Sequence, residues 1–382
     1  MRLQLIALAA ALLPAGTARA QPEVHAAADT QVYADDDHVF VITPQAAASA
    51  TLDDDGSEVH ARAVVDVVSA ASVDVISNAT ARFTEVREEG SAGGARRFGE
   101  WLGGVDYRYS HEPDYVSNGG TLSVERRLGG ADTVGRASYG LIHDRVGRSG
   151  TPMDVWSERL ISQSADLALT QNLGQRTVAR VGYSLVRQDG TMEKPYRYVP
   201  LFDQAGLDAA DADGATLGLD TFDRYRLPER PPEEVPDART RHALSMMLLR
   251  YIAAWDGSLR GDLRLYTDSW GMYAVTLESG AVVPFGGRWT LELLGRLHQQ
   301  SSVDFWRRVY VVDDAGELPR WRSMDRELGG QLGAVLGTTV AVTLGRWVLY
   351  GELQAIHRRY PDFLLLDARS AAVGMLGARW NP

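Results

Sequence analysis

Between positions 258 and 268 the chain sorts its side chains by parity. Leu259, Gly261, Leu263 and Leu265 fall at odd positions; Ser258, Arg260, Asp262, Arg264, Tyr266 and Asp268 fall at even ones. A helix would scatter these residues around its circumference, whereas a strand sets them on opposite faces. The unit recurs. In 57–68, Val59, Ala61, Ala63, Val65 and Val67 oppose His60, Arg62 and Asp66. In 99–110, Trp101, Val105, Tyr107 and Tyr109 oppose Asp106 and Arg108. Segments 161–171, 177–188 and those beginning at Trp289 and Trp347 repeat the pattern. Such a chain builds sheets with one apolar and one polar face.

The N-terminus indicates where those sheets fold. Met1-Arg2 gives a positive start, 3–13 is an apolar run, and Ala18-Arg19-Ala20 is a cleavage site. Residues 1–20 therefore read as a secretory signal peptide, with the mature chain from Gln21. No cysteine follows the apolar run, so the leader is not of the lipoprotein type. Beyond residue 20 no apolar stretch reaches the roughly 20 residues of a transmembrane helix. An exported chain of this kind is soluble or is a barrel, whose half-apolar strands escape a hydropathy scan.

Connection lengths favour the barrel. Short turns rich in Gly, Asn and Asp fall at 53–56, 129–132, 172–175, 256–257, 285–287 and 345–346. Longer polar links fall between them at 69–80, 144–159, 188–240, 299–324 and 358–363. Short periplasmic turns and long extracellular loops are the signature of an outer-membrane barrel. Trp101, Tyr107, Tyr109, Tyr183, Trp289, Trp347 and Trp380 recur on apolar faces, as interfacial girdles require. The last segment, 372–380, alternates and ends in Trp380, similar to the strand signal read by the barrel-insertion machinery, although Asn381 and Pro382 follow.

The expected fold is one all-β transmembrane antiparallel barrel over 21–382, with a long loop at 188–240. Parity gives about 16 strands. That count needs a strand at 82–88 and a short one near 30–33. If the short one is absent, 14 is the alternative. The expected location is the outer membrane of a Gram-negative bacterium.

Composition narrows the chemistry. The formal net charge of -11 and the absence of a basic stripe argue against a nucleic-acid partner. With no cysteine, disulfides, thiolate metal sites and cysteine nucleophiles are excluded. None of the eight histidines forms an H-E-x-x-H motif, no G-x-S-x-G elbow occurs, and the Asp triplets at 35–37 and 53–55 lack calcium-loop spacing. The expectation is a non-enzyme without metal or cofactor. Its partners would be outer-membrane lipid, the insertion machinery, and small polar solutes or periplasmic proteins.

The polar faces carry both signs of charge. Arg62, Asp66, Arg108, Asp166, Arg180, Arg260, Asp262, Arg264, Glu292 and Arg296 are the lumen-facing candidates. They would form either a structural ladder of paired charges or a pore lining that selects solutes. Ser69, Ser72 and Asp74, in a loop of small residues, and Tyr196 and Arg197, in the long loop, are candidates at the outer mouth. Ser and Asp in such loops also cap their own backbone. Passage or binding of small polar solutes is the leading functional reading. A plugged structural or assembly barrel with periplasmic partners and a barrel-embedded hydrolase are the alternatives.

Residues 66–77, 82–87, Pro195-Tyr196-Arg197, Arg239-Thr240-Arg241-His242 and Asp268-Ser269-Trp270-Gly271 together resemble a family of predicted Gram-negative outer-membrane β-barrels, known as a domain of unknown function. The resemblance covers nearly all of the mature chain. It implies a fold and a location, and no established ligand or activity.

Overall fold

A computed structural model of the chain describes residues 22–54, 56–70, 83–129, 132–148, 150–195, 197–312 and 317–382. The leader expected at 1–20 lies outside them. The strands, in chain order, are β1 (Glu23–Asp35), β2 (Val39–Thr51), β3 (Glu58–Ala70), β4 (Phe83–Phe98), β5 (Trp101–Glu112), β6 (Tyr115–Leu128), β7 (Thr133–Val146), β8 (Glu158–Gly174) and β9 (Thr177–Gly190). After β10 (Leu201–Phe202) come β11 (Ala238–Ile252), β12 (Gly257–Asp268), β13 (Tyr273–Phe285) and β14 (Trp289–Gln300). The chain ends with β15 (Tyr310–Val311), β16 (Gln331–Leu344), β17 (Trp347–Arg359) and β18 (Ala368–Trp380). Two helices, α1 (Gln204–Ala212) and α2 (Phe222–Tyr225), lie between β10 and β11.

Sixteen strands close into one antiparallel barrel, and β10 and β15 form a separate two-stranded sheet. The seam joins the chain's two ends: β1 pairs with β18 from Ala26 opposite Trp380 to Asp35 opposite Ala371. Closure leaves the sixteen barrel strands without a free edge, which a sheet must achieve in lipid. The short strand expected near 30–33 is a full one, Glu23–Asp35. The strand required at 82–88 begins at Phe83 and runs on through a Gly/Ala-rich stretch to Phe98.

The two ends differ as expected. At one end lie both chain termini and connections of two to six residues, at 52–57, 99–100, 129–132, 175–176, 253–256, 286–288 and 345–346. Gly286 and Gly287 both have positive φ, 58° and 71°, which suits the tight reversal after β13. At the other end lie 147–157, 191–237, 301–330 and 360–367, together with three tight turns at 36–38, 113–114 and 269–272. The strands run farther into the links than sequence periodicity indicated: β9 continues to Gly190 and β17 to Arg359.

The exterior is apolar. Leu376, Leu336 and Leu353 are 74%, 71% and 67% exposed, all at outward positions of the register. Phe98, Trp101, Phe285, Trp289, Trp347 and Trp380 face outward near the short-turn end. Tyr109 and Tyr273 lie on the same face toward the long-loop end, with Tyr107, Tyr139 and Tyr183 near mid-strand. An apolar band bounded by aromatic rings matches a bilayer in place of water.

The apolar core lies at the long-loop end, outside the barrel wall. The described parts of 191–237, 269–272, 301–330 and 360–367 fold together around Phe202, Phe222, Trp270, Trp306, Tyr310 and Tyr360. This cap is tied to the β1–β2 turn by Arg326, which pairs with buried Asp37 at 2.5 Å and lies 5.8 Å from the Tyr360 ring centre.

Candidate functional site

Directly opposed residues on paired strands share a face, so register alone decides which side chains meet inside the barrel. One inward row runs Arg180, Met247, Asp262, Glu278, Arg296, Val335 and Ile356 across seven neighbouring strands from β9 to β17. The next inward row toward the loops runs Gly182, Ser245, Arg264, Thr276, His298, Gly333 and Arg358. These rows wall a cavity of about 590 Å³. Every residue lining it belongs to a strand, and none comes from 191–237.

Five guanidiniums, from Arg180, Arg260, Arg264, Arg296 and Arg358, line this cavity against two carboxylates, Asp262 and Glu278. Both carboxylates are taken. Arg260 holds Asp262 through two bonds, of 2.6 and 2.9 Å, and Arg296 holds Glu278 at 2.6 and 2.7 Å. His298 Nδ1 lies 2.8 Å from the Thr276 hydroxyl.

The opposite wall is more fully paired. Asp66 accepts from the Thr43 hydroxyl at 2.6 Å and from Arg87 at 2.7 and 2.8 Å. Arg108 donates to Glu89 at 2.6 Å, and His60 Nε2 lies 2.7 Å from Asp106. Arg62 donates to the Gln45 side chain. Asp166 points inward between Ser138 and Ser184. At the rim, Glu85, Glu112 and Asp114 bring carboxylate oxygens within 4.8 Å of one another, the one grouping among the described residues with metal-ligand spacing.

All ten lumen candidates therefore point inward, but in different surroundings. Arg180, Arg260, Asp262, Arg264 and Arg296 share the cavity. Arg62, Asp66, Arg108 and Asp166 belong to the opposite wall, and Glu292 sits near the short-turn end opposite Val282 and Thr339. Arg358 and His298 complete the cavity and were missed as site residues. Arg358 falls in the 358–363 link that sequence reads as a loop, yet it continues the inward parity of β17, as His298 continues that of β14. His143, His242 and His357 face outward.

The mouth candidates fare differently. Ser69 is not in a loop: it is the penultimate residue of β3, on the outward face opposite Phe40. Ser72, Asp74 and Tyr196 lie outside the described residues. Arg197 is a cap residue, ion-paired with buried Asp325, which Lys194 also reaches at 3.3 Å. Burial alone would raise the Asp325 carboxyl, but Arg197 and Lys194 outweigh it and hold the group below its ordinary range. Nearby Glu233, which accepts from the Ser323 hydroxyl, is pushed upward by burial against the pull of Arg197. Arg197 thus holds the cap together and does not stand open to a ligand.

Two of the segments that carried the family resemblance, 239–242 and 268–271, meet at the rim. Arg239 pairs with Asp268 at 2.5 Å, both side chains buried, and its guanidinium stacks 4.2 Å from the Trp270 ring centre. Asp268 also accepts from the backbone of Trp270 and Met272. Gly271 has φ +85°, and a Cβ there would run into the Asp304 carboxylate.

Fold and wall together define a closed sixteen-stranded barrel of the outer-membrane type, with an apolar exterior and a charged lumen. Residues 75–353 match the family described as "Protein of unknown function (DUF3570)", and the chain belongs to that family. The architecture is shared with a bacterial polysaccharide outer membrane secretin, at 10% identity and TM-score 0.50, over 96% of this chain and 100% of that one. CdiB from Acinetobacter baumannii matches at 10% identity and TM-score 0.49, over 94% of this chain and 61% of that one. An anion-selective porin from Comamonas acidovorans matches at 8% identity and TM-score 0.39, over 95% and 99%. These likenesses concern fold alone. No curated protein matches the chain by sequence.

Proposed function

We propose that this chain is exported by its first 20 residues, inserted into the outer membrane through recognition of β18, and there binds and passes small polar solutes. The observation that carries the reading is the cavity of about 590 Å³, walled wholly by strand residues and rich in charge. A barrel of sixteen strands is wide enough to hold water. A charged lining in contact with water lowers the barrier to a polar solute without a large desolvation cost. The reading contains no catalytic step: His298 meets the Thr276 hydroxyl and the Gln300 amide, and no carboxylate orients it among the described residues.

Planar-bilayer recording of the folded full chain tests this. Discrete conductance steps are expected, and a folded barrel that passes no current contradicts passage. A second reading rests on the cap, which gathers loops from β9 to β18 around its own core. If the cap shuts the mouth, current appears only after limited proteolysis within 191–237, and the chain is then a plugged barrel as isolated.

A further inference from the structure

The cavity's charge is unbalanced in one direction. Asp262 and Glu278 are occupied by Arg260 and Arg296. Arg180, Arg264 and Arg358 have no hydrogen bond or ion pair among the described residues, and all three point into the same space. This excess of three positive charges occurs in a chain whose formal net charge is -11, so it does not follow from average composition. Guanidiniums that line one cavity repel one another, and the low-dielectric wall focuses their field into the lumen they share. A guanidinium offers a planar fork of donors matched to two oxygens of one anion. Ser245, Thr276 and His298 add polar groups along the Arg264–Arg358 row.

We infer that the wall from β9 to β17 is an oxyanion-binding surface: Arg180, Arg264 and Arg358 draw a small phosphate- or carboxylate-bearing solute into the cavity and offer it their guanidinium donors, while Arg260 and Arg296 remain fixed by their carboxylates. The inference deepens the passage reading by naming the class of solute, and it is tested separately from passage. Both wall rows belong to strands, so the site needs no loop movement to form.

The test is calorimetric titration of the detergent-folded full chain with inorganic phosphate at low ionic strength. Wild type is expected to bind, and Arg180→Gln/Arg264→Gln/Arg358→Gln together are expected to weaken binding at least about tenfold, as loss of charge-assisted contacts requires. Arg136→Gln, inward on β7 beside Glu125, is expected to leave binding unchanged. Heat-modifiable migration reports whether each variant has folded; if the triple variant has not, the three single changes carry the test. Absence of phosphate binding in wild type, or binding that the arginine changes do not move, overturns the site. A barrel that binds phosphate this way but never conducts keeps the site and loses the passage reading. A conducting barrel with no phosphate binding keeps passage and loses the site.

Discussion

At the scale of single residues, neighbours on one strand have opposite requirements. Leu263 shares the outward face with Met246 and Leu277, whereas Asp262 and Arg264 face the cavity. Leu263→Arg is therefore expected to cost about 2–4 kcal/mol and to impair assembly. Asp262→Asn or Arg264→Gln leaves assembly intact, because Asp262 meets Arg260 and Arg264 faces the cavity, neither of them against lipid. Equal heat-modifiable migration for all three variants would show the faces misassigned. Within the cap, Glu233 and Asp325 make stability depend on pH in opposite senses. Burial raises the Glu233 carboxyl, so its charged form weakens the cap near neutrality, and that penalty is relieved as pH falls through its raised pKa. Asp325 is held below its ordinary range, so its contribution is present above the unfolded value of about 4 and is lost only as pH falls below that. Amide hydrogen exchange in 191–237, corrected for intrinsic rates, is expected to slow as pH falls from neutrality toward the ordinary carboxylate range. Glu233→Gln removes that slowing; if it persists in the variant, another group is responsible.

At the scale of elements, the strands were legible in sequence and the cap was not. Parity survives any register, which is why all ten lumen candidates face inward. It failed where contrast failed. In β1, small Ala26, Ala28 and Ala34 on the outward face neighbour small Ala27 on the inward one, so only 30–33 stood out. The end of β17 alternates Ala355, His357 and Arg359 outward against Ile356 and Arg358 inward, a weak signal that reads as loop. Which arginines share one cavity depends on the stagger of seven strands, which no single segment encodes. The cap is harder still, because its apolar residues follow no period and meet only when four connections fold together. Its anchor is the Arg239–Asp268 pair beneath Trp270. Asp268→Ala leaves a buried guanidinium uncompensated, a loss of about 3–5 kcal/mol that falls on the cap before the barrel. Faster protease cutting within 191–237, with heat-modifiable migration retained, is the expected outcome. Unchanged cutting would mean that the cap is held elsewhere.

At the scale of the whole molecule, the chain inverts a soluble protein: apolar side chains outside, charge within, and a compact core confined to one end. The chain has no cysteine, so single cysteines can be introduced without background. The most direct measurement is labelling of cysteines placed one at a time at 260 through 265 in the barrel folded into lipid vesicles, using a membrane-impermeant maleimide. The account predicts labelling at 260, 262 and 264, which face a water-filled lumen, and protection at 261, 263 and 265, which face lipid. Uniform labelling along the strand, or labelling at the odd positions instead, would contradict it.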